Sequence, residues 1–170
     1  MICVSYFSSP LGTITLASDS AGESIIGAWI QGQKYFFDTV KNEQIAESEN
    51  PIILRAEKWL EDYFAGKRPS VSELKLSPQG SEFRRIVWDI LLKIPYGEVR
   101  TYGDIAKEVA DRFGVERMSA QAVGGAVGHN PISIIIPCHR VVGSDGSLTG
   151  YAGGVDKKLW LLRHEGYIQK

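Results

Sequence analysis

One stretch of this chain, bounded by two prolines, constrains the fold more than any other. The apolar run Ile132–Ile136 follows Pro131 and is rich in β-branched residues, which predicts a buried strand. Pro137 disfavours a helical conformation at the preceding residue, so we expect the strand to end abruptly there. The next residues are Cys138, His139 and Arg140. The sequence therefore predicts a thiol and a base at the end of a buried segment.

The first half of the chain predicts a small β-sheet followed by one helix. β-Branched, aromatic and alternating residues predict strands at residues 2–8, 13–17 and 24–30. Pro51 suits the first turn of a helix, and Gly66 suits its end. Around residues 34–37 the choice between a short strand and a short helix stays open. The 170 residues, 44% of them hydrophobic, suffice for one large domain or two small ones, and turn formers place a boundary near residue 80.

The second half predicts a helical domain. Apolar spacing and end signals predict helices at residues 81–94, 101–113, 119–129 and 155–165. The middle two form a helix-turn-helix pattern, and Asp145-Gly146 predicts a hairpin or wing over residues 141–149. The expected fold class is α/β, of the α+β kind. It comprises an N-terminal β-sheet subdomain with a helix over residues 1–80, and a C-terminal helical subdomain with a helix-turn-helix and a small wing over residues 81–170.

The second helix of the helix-turn-helix pattern is unusually poor in bulky side chains. Gly124, Gly125 and Gly128 lie among alanines, and each helical glycine costs about 1 kcal/mol relative to alanine. Two explanations remain open: tight packing against another helix, or close approach of the helix to a large ligand such as a DNA backbone.

Charge is unevenly distributed along the chain. Residues 1–80 carry seven basic and ten acidic side chains, whereas residues 81–170 carry twelve and ten. The net charge of −1 argues weakly against a nucleic-acid partner, but the basic excess lies on the side that holds Cys138.

Targeting and metal signals are lacking in the sequence. No apolar run approaches the roughly 18 residues that span a bilayer, and the N-terminus has no basic segment typical of a signal peptide. We therefore expect a cytoplasmic protein with no membrane partner. Two cysteines are too few for a thiol zinc site, so we expect no metal and no cofactor.

Cys138 could be a nucleophile or a buried structural residue. A free thiol has a pKa of about 8.5, so a reactive thiolate needs a neighbouring base or positive charge. His139 is the candidate base, and Arg140 could add positive potential. Neighbouring side chains on an extended chain point in opposite directions, so direct contact requires a turn, or else a bridging water. Glu165 could orient His139.

Three short motifs, in order, carry a resemblance to a known family. They are Asn130-Pro131 with Pro137-Cys138-His139-Arg140-Val141, then Gly150-Tyr151-x-Gly153-Gly154, then Leu161-Leu162-x-His164-Glu165-Gly166. Together they resemble the O6-alkylguanine-DNA alkyltransferases, also called methylated-DNA–protein-cysteine methyltransferases. The resemblance is dense over residues 81–170 and loose over residues 1–80.

The resemblance implies a direct-reversal DNA repair enzyme. Such a protein binds double-stranded DNA carrying alkylated bases and flips an O6-alkylated guanine out of the duplex, with O4-alkylthymine as a further candidate substrate. A cysteine thiolate then takes the alkyl group by in-line displacement. The thioether is permanent, so each molecule acts once, as a suicide methyltransferase, and we expect it to act as a monomer.

The resemblance also implies roles at the reacting centre. Cys138 is the alkyl acceptor, His139 is a base acting through a water, and Glu165 orients His139. Tyr102 lies where the family has a tyrosine that donates to the flipped base and assists phosphate rotation. Asn130 matches the asparagine that braces the turn between recognition helix and active loop.

Further positions are implied to contact the base or the DNA. Val141 matches a residue whose backbone carbonyl contacts the guanine amino group, and Tyr151 and Ala152 fall in the lid loop. The family lays its second helix-turn-helix helix in the minor groove, where sequence readout is degenerate. The expected substrate- and DNA-binding set is Tyr102, Gln121, Ala122, Gly124, Gly125, Arg140, Val141, Tyr151 and Ala152.

This sequence departs from the family pattern in two places, and a third difference concerns a zinc site that only some members have. Gln121 stands where members commonly have an arginine that fills the gap left by the flipped base, and a glutamine brings no charge. Ala152 replaces a serine of some members, although its backbone N–H can still donate to O6. Some members hold structural zinc in the N-terminal part, which Cys3 alone cannot reproduce.

Two other function classes remain as alternatives. A thiol hydrolase built on Cys138, His139 and Glu165 would regenerate its cysteine and turn over. A non-enzymatic DNA binder, such as a regulatory helix-turn-helix module or a lesion sensor, would recognise DNA without chemistry. Sensors of the alkyltransferase-like kind lack the acceptor cysteine, which this chain has.

Overall fold

The structure, a computed structural model, describes residues 1–168 and divides into two compact units. The first comprises Met1–Gln79 together with the short segment Pro131–Ile135. The second comprises Gly80–Asn130 and the chain from Ile136 onward. Residues 132–135 of the apolar run thus belong to the first unit, whereas Ile136 and Cys138 belong to the second.

The first unit contains a four-stranded sheet. Its strands are β1 (Ile2–Ser9), β2 (Gly12–Ser18), β3 (Ile25–Ile30) and β4 (Ile45–Glu47), in the order β3-β2-β1-β4. Two tight connections make β1, β2 and β3 a continuous antiparallel meander, and β4 pairs with β1 in parallel. The three predicted strands are confirmed. In the segment left open, residues 34–37 form turns and the strand lies further on, at β4.

One helix covers the sheet of the first unit. Helix α1 (Pro51–Phe64) begins where predicted: Pro51 occupies the first turn, and the side chain of Asn50 accepts a hydrogen bond from the Ile53 amide at 3.0 Å. Its inward face includes Ile53, Ala56 and Leu60, all fully buried. Burying a side chain such as Leu60 stabilises the fold by about 1.5–3 kcal/mol relative to exposure.

The prediction of a strand over 132–136 is wrong. Only isolated bridges occur there, at Ile132, Ser133 and Ile136. Ile132 pairs with Ala28, whose amide donates to the Pro131 carbonyl at 2.8 Å. The chain then turns at Ile134, which adopts a left-handed φ of 72° although it is β-branched. Burial overrides this local preference, since the Ile134 side chain is 1% exposed. The Ser133 hydroxyl, hydrogen-bonded to Gln33 at 3.0 Å, further fixes the turn.

The second unit is built from four helices. They are α2 (Glu82–Leu91), α3 (Tyr102–Phe113), α4 (Ala120–Gly128) and α5 (Val155–His164). A capping box formed by Thr101 and Asp104 starts α3, and Gly114 ends it with a left-handed φ of 67°. The four predicted helices are confirmed, and α3 with α4 form the helix-turn-helix. No described helix has both the length and the apolar character needed to cross a membrane.

A two-stranded parallel ladder replaces the predicted hairpin. Strand β6 (Val141–Val142) pairs with β5 (Arg100–Thr101), which leads directly into α3. The following turn is closed by a 2.9 Å hydrogen bond from the Gly143 amide to the Ser147 carbonyl, and the two arms do not form a ladder with each other. The ladder places the residues after Cys138 beside the start of α3.

Candidate active site

Cys138 begins one turn of 3₁₀ helix, Cys138–Arg140, rather than ending a strand. The Cys138 amide donates to the Ile136 carbonyl at 2.8 Å, and the Arg140 amide donates to the Pro137 carbonyl at 3.0 Å. Consecutive side chains in a 3₁₀ helix point about 120° apart, instead of opposite ways as on a strand. The structure thus supplies the turn that the sequence required for Cys138 and His139 to act together.

His139 forms a short hydrogen bond with Glu165. The His139 Nε2 atom lies 2.6 Å from Glu165 Oε2, and neither side chain is exposed. Burial lowers the pKa of His139, against the opposing effect of Glu165, so the imidazole is neutral. Glu165 accepts at Nε2, which leaves Nδ1 as the unprotonated nitrogen. Nδ1 is buried and has no hydrogen-bond partner among residues 1–168, so it is available as a base.

Arg140, which the sequence placed in the substrate- and DNA-binding set, is directed inward in the structure. Its Nε donates to Glu165 Oε1 at 2.8 Å, its Nη2 to Glu165 Oε2 at 3.0 Å, and its Nη1 to the Ile94 carbonyl at 2.6 Å. Although burial alone would raise the pKa of Glu165, the bonds from His139 and Arg140 hold it well below its usual range. If Arg140 turned outward to bind a phosphate, the buried Glu165 carboxylate would lose its positively charged partner.

Asn130 fixes the backbone just before the turn. Its side-chain amide donates to the Ile136 carbonyl at 2.9 Å, and the residue is 4% exposed. Burial raises the pKa of the Cys138 thiol, and a hydrogen bond with Asn130 acts in the opposite direction. Asn130 therefore bears on both the geometry and the ionisation of Cys138.

The loop from Thr149 to Ala152 lies beside Cys138. Tyr102, the first residue of α3, donates from its hydroxyl to the Thr149 carbonyl at 3.0 Å. Burial and then the Cys138 charge raise the pKa values of Tyr102 and Tyr151, so both phenols are neutral near the thiol. The Tyr151 hydroxyl is buried and finds no partner among the described residues. Ala152 follows, half-buried.

Gly150 is required where this loop passes Tyr102. Its φ is +77°, and a Cβ atom there would lie 3.0 Å from the Tyr102 hydroxyl oxygen. The positive φ therefore disfavours any residue with a side chain, and Tyr102 would have to shift slightly to make room for one. Val141, at the start of β6, is fully buried and paired with Arg100.

A cavity of about 550 Å³ opens between α3, α4 and the loop. Its lining residues are Tyr102, Gly103, Ala120, Gln121, Gly124, Ser144, Thr149 and Gly150. Gln121 and Ala122 are exposed on the adjoining face of α4. Of the predicted α4 residues, Gln121 and Gly124 thus line a cavity beside Tyr102, whereas Ala122 and Gly125 do not line it.

The glycines of α4 are not explained by packing within the protein. A Cβ atom at Gly125 or Gly128 would meet no atom of residues 1–168 within 4 Å outside its own helix, and one at Gly124 would make only ordinary contact with Tyr102. Of the two explanations left open by the sequence, close approach of a large ligand is therefore favoured over tight helix–helix packing.

Lys158 is a site residue that the sequence reading missed. It is fully buried on α5, and its Nζ donates to the Thr149 carbonyl at 3.0 Å. The inward residues of α5 are Lys158, Leu161 and Leu162, whereas Val155 is 47% exposed. Helical spacing could have predicted its burial. Lys158 lies three and four residues before Leu161 and Leu162, so the three side chains share one face of α5.

Two family models together cover nearly the whole chain. Residues 82–167 match the DNA binding domain of 6-O-methylguanine DNA methyltransferase, and residues 2–78 match its ribonuclease-like domain. The chain belongs to this family. No group of three metal-ligating side chains occurs within the described part of this member.

Named relatives of this family member span most of its length. A "Methylated-DNA--protein-cysteine methyltransferase" of Methanosarcina acetivorans is 44% identical over 163 residues, covering 94% of this chain and 96% of that protein. One of the same name from Haemophilus influenzae is 40% identical over 97% of this chain and 88% of that protein. The crystal structure of Mycobacterium tuberculosis OGT in complex with DNA is 36% identical, with a TM-score of 0.81 over 97% of this chain and 94% of that one.

Proposed function

We propose that this chain is a methylated-DNA–protein-cysteine methyltransferase, which repairs O6-alkylguanine in double-stranded DNA by moving the alkyl group to Cys138. The observation that carries the proposal is the buried turn in which Cys138 precedes a neutral His139. Its Nε2 is held by Glu165, and its Nδ1 has no hydrogen-bond partner within residues 1–168. The family membership and the printed names of the relatives support the same activity.

The reaction is a displacement at the alkyl carbon. A bond forms between the Cys138 sulfur and the alkyl carbon while the bond from that carbon to O6 breaks. The electron pair of the broken bond stays with the purine, which takes up one proton to become guanine. The thiol loses one proton overall, so the sum is thiol plus alkylguanine to thioether plus guanine, with no oxidant or reductant.

His139 and Glu165 handle the thiol proton. Nδ1 is the nitrogen that can accept it, through a water as the family resemblance implies, because Nε2 is engaged by the carboxylate. The resulting imidazolium is stabilised by Glu165, which two bonds from Arg140 keep ionised. Arg140 therefore serves the reaction through Glu165.

The cavity beside Tyr102 is the proposed place of the flipped base. Chemistry on a base within a duplex requires extrusion into a pocket. Tyr102 would donate to the base in place of its hydrogen bond to the Thr149 carbonyl. The Val141 carbonyl and the Ala152 amide are the family's contacts to the edges of the base. Tyr151 would cover the base from the lid loop.

Helix α4 is the proposed contact to the DNA. Its open face at Gly124 and Gly125 lets the helix backbone approach the minor groove closely, and Ala122 adds no bulk there. Gln121 lies at the cavity mouth, where it can hydrogen-bond to the base left unpaired. Readout of the minor groove is nearly independent of sequence, as repair of scattered lesions requires.

Cys138 is consumed in the proposed reaction. A thioether carbon is a poor target for hydrolysis, so the methylated protein is an end product. We propose that the protein acts once, as a monomer, in the cytoplasm, and that O4-alkylthymine is a second substrate.

The count of repaired bases tests this function. A duplex with one O6-methylguanine is incubated in excess over the protein, and restored guanine is measured by chromatography of the digested DNA. One guanine per protein molecule is expected. Continued turnover would favour the thiol hydrolase, and no restored guanine with intact duplex binding would favour the non-enzymatic binder.

A further inference from the structure

Lys158 is a buried cation without a carboxylate partner in the described part of the chain. Its ammonium contacts one carbonyl, that of Thr149, and lies 5.8 Å from the centre of the Tyr102 ring. Burying an ammonium costs several kcal/mol unless other groups compensate. Burial lowers the pKa of Lys158 to about 8, and the anionic group that raises it again is the Cys138 thiolate.

The same interaction acts on Cys138. Burial raises the pKa of the thiol, and the charge of Lys158, with the hydrogen bond from Asn130, lowers it. In a dry site of low effective dielectric, such an interaction between charges is much stronger than in water. The ammonium and the thiolate therefore stabilise each other.

Among residues 1–168, no other cation at the site can fill this role. Arg140 is neutralised by Glu165 through two hydrogen bonds. Burial keeps His139 neutral. The remaining titratable groups that face the thiol, Tyr102 from α3 and Tyr151 from the loop, are uncharged phenols.

We propose that Lys158 is a positioning residue for alkyl transfer: its buried ammonium stabilises the thiolate that Cys138 becomes when its proton passes to His139, and it anchors the loop at Thr149. This inference rests on the proposed function, in which Cys138 is the alkyl acceptor. The loop carries Tyr151 and Ala152, so one lysine couples the charge state of the nucleophile to the placement of the lid.

The first test titrates the Cys138 thiol in the free protein. Modification by iodoacetamide is followed against pH by mass spectrometry of the Cys138 peptide, in wild type, Lys158→Met, Lys158→Arg and the neighbouring control Lys157→Met. Loss of the charge should leave about tenfold less thiolate at neutral pH, which corresponds to one pKa unit. Lys158→Arg should stay within a few-fold of wild type, and Lys157→Met should match it. Equal titrations of Lys158→Met and wild type would overturn the inference.

The second test measures methyl transfer from O6-methylguanine duplex to the same proteins. Lys158→Met should be about tenfold slower at neutral pH and should approach wild type under alkaline conditions, where the thiol ionises unaided. A purely structural lysine would give an equal loss in Lys158→Arg and an unshifted pH profile, and that result contradicts the inference. If wild type transfers nothing while its thiol titration still depends on Lys158, the proposed function fails and the inference about the thiolate stands.

A third measurement needs no substitution at Lys158, in case Lys158→Met does not fold. The lysine side chains are titrated by NMR in wild type and in Cys138→Ala, which removes the anion. Since the coupling is reciprocal, Lys158 should deprotonate at lower pH in Cys138→Ala than in wild type. An unchanged Lys158 titration would show that the two groups are not coupled.

Discussion

Arg140 and Glu165 are joined by two hydrogen bonds in the interior of the second unit, from Nε to Oε1 at 2.8 Å and from Nη2 to Oε2 at 3.0 Å. A paired fork of this kind is among the stronger interactions available to a carboxylate. Glu165 also accepts from the Gly97 amide at 3.1 Å and bonds His139. The pair therefore keeps an anion at the site that can stabilise His139 when it takes up a proton.

Replacing Glu165 by glutamine should damage both the fold and the reaction. Glu165→Gln leaves the Arg140 charge buried without its counter-ion, so the free energy of unfolding should fall by roughly 3 kcal/mol. Methyl transfer should slow by roughly a hundredfold, a typical share for acid–base assistance. Urea unfolding and single-turnover kinetics measure the two effects. The exposed control Glu49→Gln should change neither, and a fully stable, active Glu165→Gln would refute the role.

Acid should destabilise the free protein in two steps. The pKa of His139 is lowered in the folded state, so unfolding takes up a proton and stability falls as the pH drops below about 6.5. The pKa of Glu165 is also lowered, so further stability is lost as the pH falls below about 4.5. Urea midpoints measured against pH should show both steps, and His139→Gln should remove the first. Unchanged stability between neutral pH and pH of about 5 would contradict a neutral, buried His139.

Gln121 should matter for opening the duplex and not for the chemistry. Gln121→Ala should slow transfer from duplex DNA by roughly tenfold, the cost of about one lost hydrogen bond. Gln121→Arg should transfer the methyl group at the wild-type rate or faster, since arginine adds charge and stacking surface. A single-stranded oligonucleotide with the same lesion is the control, because it needs no base pair opened. If Gln121→Ala repairs duplex at the wild-type rate, this residue does not assist flipping.

A larger side chain at Gly125 should raise the stability of the protein and weaken its binding to DNA. Space around a Cβ atom is open there, and replacing a helical glycine by a better helix former adds roughly 0.5–1 kcal/mol of stability. Gly125→Gln should therefore raise the unfolding midpoint and weaken binding to undamaged duplex by about tenfold, or about 1.4 kcal/mol. The unfolding midpoint and the duplex affinity are measured at one salt concentration. Leu54→Gln, at an exposed position of α1, is the control for the added glutamine side chain. Unchanged affinity would mean that this face does not approach DNA.

Local signals in the sequence were sufficient to predict the helices and to identify Cys138 and His139 as the nucleophile and its base. The capping box at Thr101, the proline at Pro51 and the stop at Gly114 act within a few residues, so α1 and α3 began and ended as predicted. Cys138 and His139 are adjacent in the chain, and only Glu165 had to be brought from a distance.

Features set by burial could not be predicted from local pattern. Ile134 adopts a left-handed conformation that its own side chain disfavours, because the packed interior of the first unit fixes the turn. Arg140 was expected to face DNA, but its three donors are satisfied by Glu165 and the Ile94 carbonyl. Lys158 was overlooked because a buried lysine is rare, and only its helical phase placed it inside.

The most direct test of the account is the location of the methyl group after reaction. The protein is treated with duplex carrying O6-methylguanine labelled in the methyl group, digested and analysed by peptide mass spectrometry. One labelled methyl on Cys138 and none on Cys3 is the predicted result, and Cys138→Ala should carry no label while still binding the duplex. Repair that leaves Cys138 unmodified, or a label on another residue, would contradict the account.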